Sequence, residues 1–362
     1  MTNKSRSDFP LILFTLAAAL YGLLLISSAV KSSDSKMNII VQAAAIVMGI
    51  AVMFVLRAWD YQALLTLSRV IFAVYVFMLI LVLIIGTGRS ETGTMGWISL
   101  GPVNIQPSEF AKIGYIITFA SHLTALGEKM NKPSGLMQLA LHALVPLALI
   151  LMQPDYGTAM VFIFITIVML FYAGLKLRYF AVGGALFVLA APILWFFVLD
   201  EFQKNRILVF LNPESSPMQA GYNVIQSKLA VGAGMVTGKG LFNGSQIQLG
   251  FLPGKHTDFI FAVAGEELGF IGCIAIIGIL GFIIFKLIVS AGSVKKDAGA
   301  YILMGIAAMF IFQSFENIGM CIGLMPVTGI PLPFFSYGGS SVLTCFIAVG
   351  IALSIIKRSK YI

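Results

Sequence analysis

Apolar stretches of about 20 residues recur along this chain, each long enough to cross a lipid bilayer. They are continuous and do not alternate with period two, so they predict transmembrane helices rather than barrel strands. Composition agrees. The chain is 59% hydrophobic and 10% charged, with a mean hydropathy of +0.97, against about 25% charged residues in a soluble domain. The expected fold is therefore an all-α polytopic membrane protein, one integral membrane domain over residues 1–362. Ten spans are expected, at 10–30, 38–56, 68–86, 107–125, 136–153, 157–173, 178–199, 258–287, 298–322 and 336–357.

Charge orients them. One side of the bundle collects 14 basic residues: Lys4, Arg6, Arg57, Arg69, Lys129, Lys132, Lys176, Arg178, Lys286, Lys295, Lys296, Lys357, Arg358 and Lys360. The short loops opposite hold three, Lys31, Lys36 and Arg89. Positive charge stays in the cytoplasm, so both termini are expected there. The segment 200–257, between spans 7 and 8, is then extracytoplasmic; its five basic residues weigh little, because long loops follow the rule weakly. Lys4 and Arg6 precede the first apolar stretch with no small-residue cleavage site after it, which predicts a retained anchor rather than a removed signal peptide. The net charge of +8 is dispersed over short loops and gives no nucleic-acid surface. Cys273, Cys321 and Cys345 all lie within apolar runs, as small core residues do.

A loop of that length inside a compact domain is usually functional or disordered. This one carries Phe210, Tyr222, Phe242 and Phe251 and an amphipathic stretch around Tyr222–Val231, so it is expected to fold on the membrane face with one or two short helices. Its glycine run, Gly232 to Gly240, is no phosphate loop. The first glycine is misplaced for G-x-x-x-x-G-K-[ST], and Gly240 stands at the hydroxyl position. Tight turns against the bilayer surface are expected instead. No internal repeat is evident.

Candidate site residues gather at the outer ends of the spans. Asp258 closes the segment Pro253-Gly254-Lys255-His256-Thr257-Asp258 and meets an apolar helix at once. It can reach water on one side and a bilayer-bound substrate on the other. Capping of that helix by Thr257 or Asp258 would also explain it. Lys255, His256, Lys204 and Arg206 surround it in sequence, and a carboxylate beside cations suits acid–base chemistry on a polyanion. Glu266 and Glu267 fall about 80° and 180° around the helix from Asp258 and read as polar contacts within the bundle. Glu109 and Lys112 lie three apart at the start of span four, able to pair and either to close a helix contact or to line a polar cavity. Asp155 follows a tight turn and either caps the next helix or joins that cavity. The uncharged loop 326–341 places Ser336, Ser340 and Ser341 where they can donate to phosphate or sugar, or cap the last span.

Together these words resemble one family. Gly96-Trp97-Ile98-Ser99-Leu100-Gly101, Gln106-Pro107-Ser108-Glu109 through Lys112, Gln153-Pro154-Asp155, Thr257-Asp258-Phe259-Ile260-Phe261, Glu266-Glu267-Leu268-Gly269 and Ser336-Tyr337-Gly338-Gly339-Ser340-Ser341 are similar, in order and spacing, to the SEDS family of RodA, FtsW and their sporulation relatives. Gly329-Ile330-Pro331-Leu332-Pro333-Phe334 and Asn317-Ile318-Gly319-Met320 resemble the RodA branch most. The chain departs from the family pattern at Gly96, where many members carry arginine, at Gly254-Lys255 and at Tyr156. The resemblance implies a peptidoglycan glycosyltransferase of the bacterial cytoplasmic membrane. It would polymerise lipid II at the outer face, with a class B penicillin-binding protein and other membrane proteins of the rod-shape elongation machinery as partners.

On that basis Asp258 is the expected general base. Arg206, Lys204 and Lys112 are candidates to meet the leaving pyrophosphate, and a divalent cation such as magnesium or manganese can share that load, although no residues here have metal-ligand spacing. Glu109, Lys112 and Asp155 would shape the cavity. A flippase for the lipid-linked precursor and a non-catalytic scaffold for the penicillin-binding protein are the competing readings.

Overall fold

A computed structural model describes residues 8–31, 36–88, 94–101, 103–198, 201–212, 220–294 and 297–359. Of the basic residues used to orient the chain, Lys4, Arg6, Arg89, Lys295, Lys296 and Lys360 lie outside the described residues, as does 213–219 of the long loop.

The described chain is a bundle of long helices. In order these are α1 (Phe9–Ala29), α2 (Lys36–Ala58), the short α3 (Tyr61–Thr66), α4 (Ser68–Ile85), α5 (Pro107–Leu126), α6 (Pro133–Leu151), α7 (Tyr156–Ala173) and α8 (Leu177–Ile193). In the long loop come α9 (Glu201–Leu211), α10 (Ala220–Ala233) and α11 (Ser245–Gln248), and then α12 (Ile260–Ser293), α13 (Ala298–Cys321) and α14 (Gly339–Arg358). Among the described residues nine helices are long and apolar enough to cross a membrane. Each matches an expected span. The remaining expected span is α5, a 20-residue helix diluted by Glu109 and Lys112 near its start but buried along most of its length. Its polar groups are hidden among its neighbours rather than offered to lipid, the arrangement a bilayer enforces.

Burial grades the helices. In α13 and α14 about four-fifths of the span is buried, 78% and 83%, whereas none of the α8 span is. The core is therefore built on α13 and α14, the latter packed on α2 and the former on α12 and α7. Around the outside, Ile40, Val47, Phe77, Met137, Phe171 and Phe270 face outward, as side chains do where lipid is the solvent. Helix α8 exposes Phe187 and Leu189 and continues into a π-helical turn at Leu194–Val198 that exposes Phe196 and Phe197.

Four features differ from the sequence expectation. First, residues Ile98–Leu100 and Val103–Ile105 form a two-stranded antiparallel hairpin in what was expected to be plain loop. Gly101 follows the first strand at φ +70°. Second, the long loop contains three described helices rather than one or two. Third, α12 runs to Ser293, past the expected span end at 287, so Lys286 is buried within the helix rather than standing at its end. Apolar residues continue past it, and a long amine can be hidden within a helix where sequence alone suggests a span end.

The fourth concerns the glycine run. Its turns pack on a break in α12, not on the bilayer surface. At Gly269 the helix adopts φ +66°, ψ −161°, a conformation that frees backbone groups from the ladder and that glycine alone adopts cheaply. The loop takes up those groups. Phe270 N–H donates to the Met235 carbonyl (2.9 Å) and Ile271 N–H to Val236 (3.2 Å). In return Lys239 N–H donates to the Glu266 carbonyl (3.0 Å) and Gly240 N–H to Glu267 (2.9 Å). The side chains complete the joint, as expected of polar contacts within the bundle. Glu266 accepts from Lys239 Nζ (2.7 Å), Gln246 N–H (3.0 Å) and Ile247 N–H (3.1 Å), closing the N-terminus of α11. Glu267 accepts from Ser28 Oγ (2.6 Å) and Gln248 Nε2 (3.0 Å). The long loop is thus locked to α1 and α12, immediately below the turn that carries Asp258.

Candidate active site

Asp258 sits in the turns between the loop and α12. The helix is capped at Phe259, with no side-chain cap bond, so capping does not account for the carboxylate. It is half-buried. A Cβ on Gly329 would come within 3.7 Å of its Oδ2, and one on Gly254 within 3.9 Å. Bare backbone therefore borders it on two sides, and Gly329 is at φ +76°, where a side chain would be strained. Burial pushes the carboxyl up to about 6, only partly offset by a hydrogen bond with Thr257 and by the positive charge of Arg206. A carboxylate with that value is ionised at neutral pH yet basic enough to take a proton.

The expected cations divide. Arg206, on α9, acts on Asp258 electrostatically. Lys204 is two residues away on the same helix, about 200° around it, and so projects differently. Lys255 is buried, and its Nζ donates to the Ile247 carbonyl. Burial lowers its pKa against the raising effect of Glu267. It belongs to the loop core rather than to the front of the site. His256 packs its ring on Tyr337 at 5.4 Å and accepts the Tyr337 N–H at its carbonyl (2.8 Å). Burial, then Lys255, lowers its pKa, so the ring is neutral at pH 7.

The serines brace the last outer loop. Ser336 Oγ donates to the Thr257 carbonyl (2.6 Å) and accepts from Leu332 N–H (2.8 Å), tying loop 323–338 to the Asp258 turn. Ser340 Oγ accepts from Gln106 N–H (3.1 Å), tying the same region to the start of α5. Ser336 spends its O–H on the Thr257 carbonyl, whereas Ser340 serves Gln106 as an acceptor, which leaves the direction of its own O–H unassigned by that bond. Ser341 is buried at the first turn of α14.

Behind Gln106, Lys112 and Glu109 form an ion pair of 2.6 Å with side chains 1% and 3% exposed. Such a pair is a weak device for stability, because desolvating two charges offsets their attraction. Asp155 caps α7, its Oδ1 accepting from Thr158 N–H (3.0 Å), and its Oδ2 accepts from Gln106 Nε2 (3.4 Å). Asp155 is thus a helix cap, and its second oxygen contacts Gln106, one turn before Glu109. The link to Asp258 runs through the last outer loop. Gly157, just past Asp155, abuts the Thr328 carbonyl.

Three polar residues here escaped the sequence reading as site residues. Glu316 and Asn317, on α13, are buried; Glu316 accepts from Thr328 Oγ1 (2.8 Å), and Asn317 Nδ2 donates to the carbonyls of Asp258 and Ile330. Gln42 of α2 is fully buried and accepts from Gly338 N–H (3.1 Å). The available signal was an acid and two amides inside otherwise apolar helices. Among the described residues no group of three or more His, Cys, Asp or Glu comes together that could hold a metal ion.

A family model for cell cycle proteins, FtsW/RodA/SpoVE, matches residues 9–361. The chain belongs to this family. The FtsW/RodA/SpoVE relatives include the peptidoglycan glycosyltransferase MrdB of Escherichia coli, 33% identical over 99% of this chain and 95% of its own length. The probable peptidoglycan glycosyltransferase FtsW of Geobacter sulfurreducens is 36% identical over 98% of this chain and 96% of its own. Solved structures of the family superpose over nearly everything. A chain from a study of how a peptidoglycan synthase complex coordinates polymerization and crosslinking matches with TM-score 0.83 at 28% identity, covering 97% of this chain and 98% of that one. The rod shape determining protein RodA of Thermus thermophilus matches with TM-score 0.72 at 28% identity, covering 97% and 96%. This is a polytopic, helical membrane protein of the FtsW/RodA/SpoVE family.

Proposed function

We propose that this chain is a peptidoglycan glycosyltransferase that polymerises lipid II at the outer face of the bacterial cytoplasmic membrane, serving cell elongation and rod shape. The observation that carries the reading is Asp258: a half-buried carboxylate, raised to about 6, with Arg206 acting on it at one end of a membrane bundle. The names of the relatives support the same chemistry.

In the reaction, a sugar hydroxyl of the acceptor attacks the anomeric carbon of the donor. The new O–C bond forms as the bond from that carbon to the undecaprenyl pyrophosphate oxygen breaks, and Asp258 takes the hydroxyl proton. Negative charge builds on the departing pyrophosphate, where fixed positive charge contributes most. Arg206 is the best placed of the candidates and Lys204 shares its helix. Lys112 is already neutralised by Glu109, so its part is to hold the buried polar start of α5 rather than to bind phosphate. A divalent cation, magnesium or manganese, would arrive with the substrate, because such ions take their ligands from phosphates and only one or two carboxylates.

A class B penicillin-binding protein is the proposed partner, supported by the match to a complex that couples polymerization to crosslinking. The test is polymerisation of labelled lipid II by the purified chain, alone and with that partner whose transpeptidase serine is blocked by a β-lactam. Glycan ladders support the proposal. Translocation of lipid II across vesicles without any polymer would instead favour a flippase, and neither activity would leave a scaffold.

A further inference from the structure

We propose that Asn317 is a positioning residue for the glycosyl transfer, its amide holding the main chain of Asp258 against the loop that borders the reacting carboxylate. This rests on the reading of Asp258 as the base.

Asn317 lies on α13 and is fully buried. Its Nδ2 donates to two carbonyls at once, those of Asp258 and Ile330, each at 2.8 Å. The Asp258 carbonyl needs that donor. It precedes the helix cap, and the first ladder bonds of α12, from Ala262 and Val263 N–H, both go to the carbonyl of Phe259. Left alone it would be an orphan acceptor away from water, which costs about 1–3 kcal/mol. The thiol of Cys321, one turn along α13, is the other group directed at it, at 3.7 Å.

The second bond matters as much. Ile330 follows Gly329, whose backbone lies against the Asp258 carboxylate. A single amide therefore fastens the chain on both sides of the reacting group. The preceding residue, Glu316, holds Thr328, so two adjacent residues of α13 fix the stretch 328–330. The Asn317 Oδ1 is buried with no hydrogen-bond partner.

Removing the amide frees the Asp258 turn to shift against its neighbours. The groups that act on the carboxylate are Thr257 of its own turn and Arg206 of α9, with the Cys321 thiol of α13 against the carbonyl of the same residue. A displacement on the order of 1 Å at a reacting group costs about 100-fold in rate.

The experiment measures initial rates of lipid II polymerisation by the full chain with its penicillin-binding partner, against substrate concentration and pH. It compares wild type with Asn317→Ala, Asn317→Asp and Asp258→Asn. Asn317→Asp keeps the size of the side chain and offers at most one donor, when protonated, so it cannot hold both carbonyls and decides the matter where the alanine variant does not fold. Both Asn317 variants are expected to lose about 10- to 100-fold in kcat with KM nearly unchanged. The acid limb of the profile moves to lower pH in Asn317→Ala, as the freed carboxylate becomes better hydrated. A folded variant with wild-type kcat would overturn the proposal, and so would a lowered kcat with an unmoved acid limb, since that is the mark of a structural brace. Full activity in Asp258→Asn would remove the base itself, a separate failure.

Discussion

At the scale of single residues, the account turns on a carboxylate that burial makes more basic. Protonated Asp258 cannot accept the acceptor's proton, so the polymerisation rate is expected to fall as pH drops through about 6. An Arg206→Ala change removes a lowering influence, so the limb should move to higher pH and kcat should fall; a pH–rate profile checks both. The same raised pKa has a consequence for stability. The folded carboxyl holds its proton more tightly than the unfolded one, so ionisation costs stability, an expense absent at pH below 3.8 and complete above about 6. Asp258→Asn should therefore be more stable than wild type at neutral pH, by ~1–3 kcal/mol, and lose that advantage near pH 4. Thermal unfolding of the two proteins across pH measures it. Asp258 was legible in the sequence because it closes the long polar loop, next to Lys255 and His256, at the start of an apolar helix. The direction of a side chain was not. Lys255 and Ser336 stand beside Asp258 in sequence or in space, yet one turns into the loop core and the other holds backbone. Asn317 was quoted only as part of a family word, because nothing in its one-dimensional neighbourhood places it beneath residue 258.

At the scale of elements, the apolar runs announced the long helices, since a bilayer leaves a 20-residue apolar segment little alternative to a helix. What the runs hid was the break within one of them. Leu268-Gly269-Phe270 reads as uninterrupted span, and only the docking of residues 235–240 reveals that the ladder opens there. The hairpin at Ile98–Ile105 was hidden for a related reason: three-residue strands are too short for alternation to be read. The break makes a sharp prediction. A Cβ at residue 269 would lie 2.4 Å from the Gly238 nitrogen and 2.5 Å from the Val236 carbonyl oxygen, at a backbone angle that a side chain strains. Gly269→Ala should cost about 2–4 kcal/mol, seen as a lower unfolding temperature in detergent. Gly278→Ala in the same helix, where a Cβ meets open space, should be near neutral.

At the scale of the whole molecule, polarity is sorted by end. Arg57 pairs with Asp8 (2.6 Å) and Arg358 with Asp60 (3.3 Å) at one end of the bundle. Asp155, Asp258 and the loop helices occupy the other. With the basic end in the cytoplasm, a cysteine placed at the exposed Met235 should react with an impermeant thiol reagent added to intact cells. One placed at Lys129 should react only after permeabilisation. The reverse pattern would invert the orientation and put Asp258 on the wrong side for lipid II polymerisation. This sorting was legible from lysine and arginine counts alone, whereas the exposure of α8 along its whole length was not, since every span is apolar whichever neighbour it has.

The measurement that bears most directly on the central claim compares wild type and Asp258→Asn in lipid II polymerisation at pH 7.5, each purified with the penicillin-binding partner and shown to be folded by thermal unfolding. The account predicts long glycan ladders from wild type and a loss of about 100-fold or more from a variant that is at least as stable. Equal ladders from both would contradict it and move the chemistry away from Asp258.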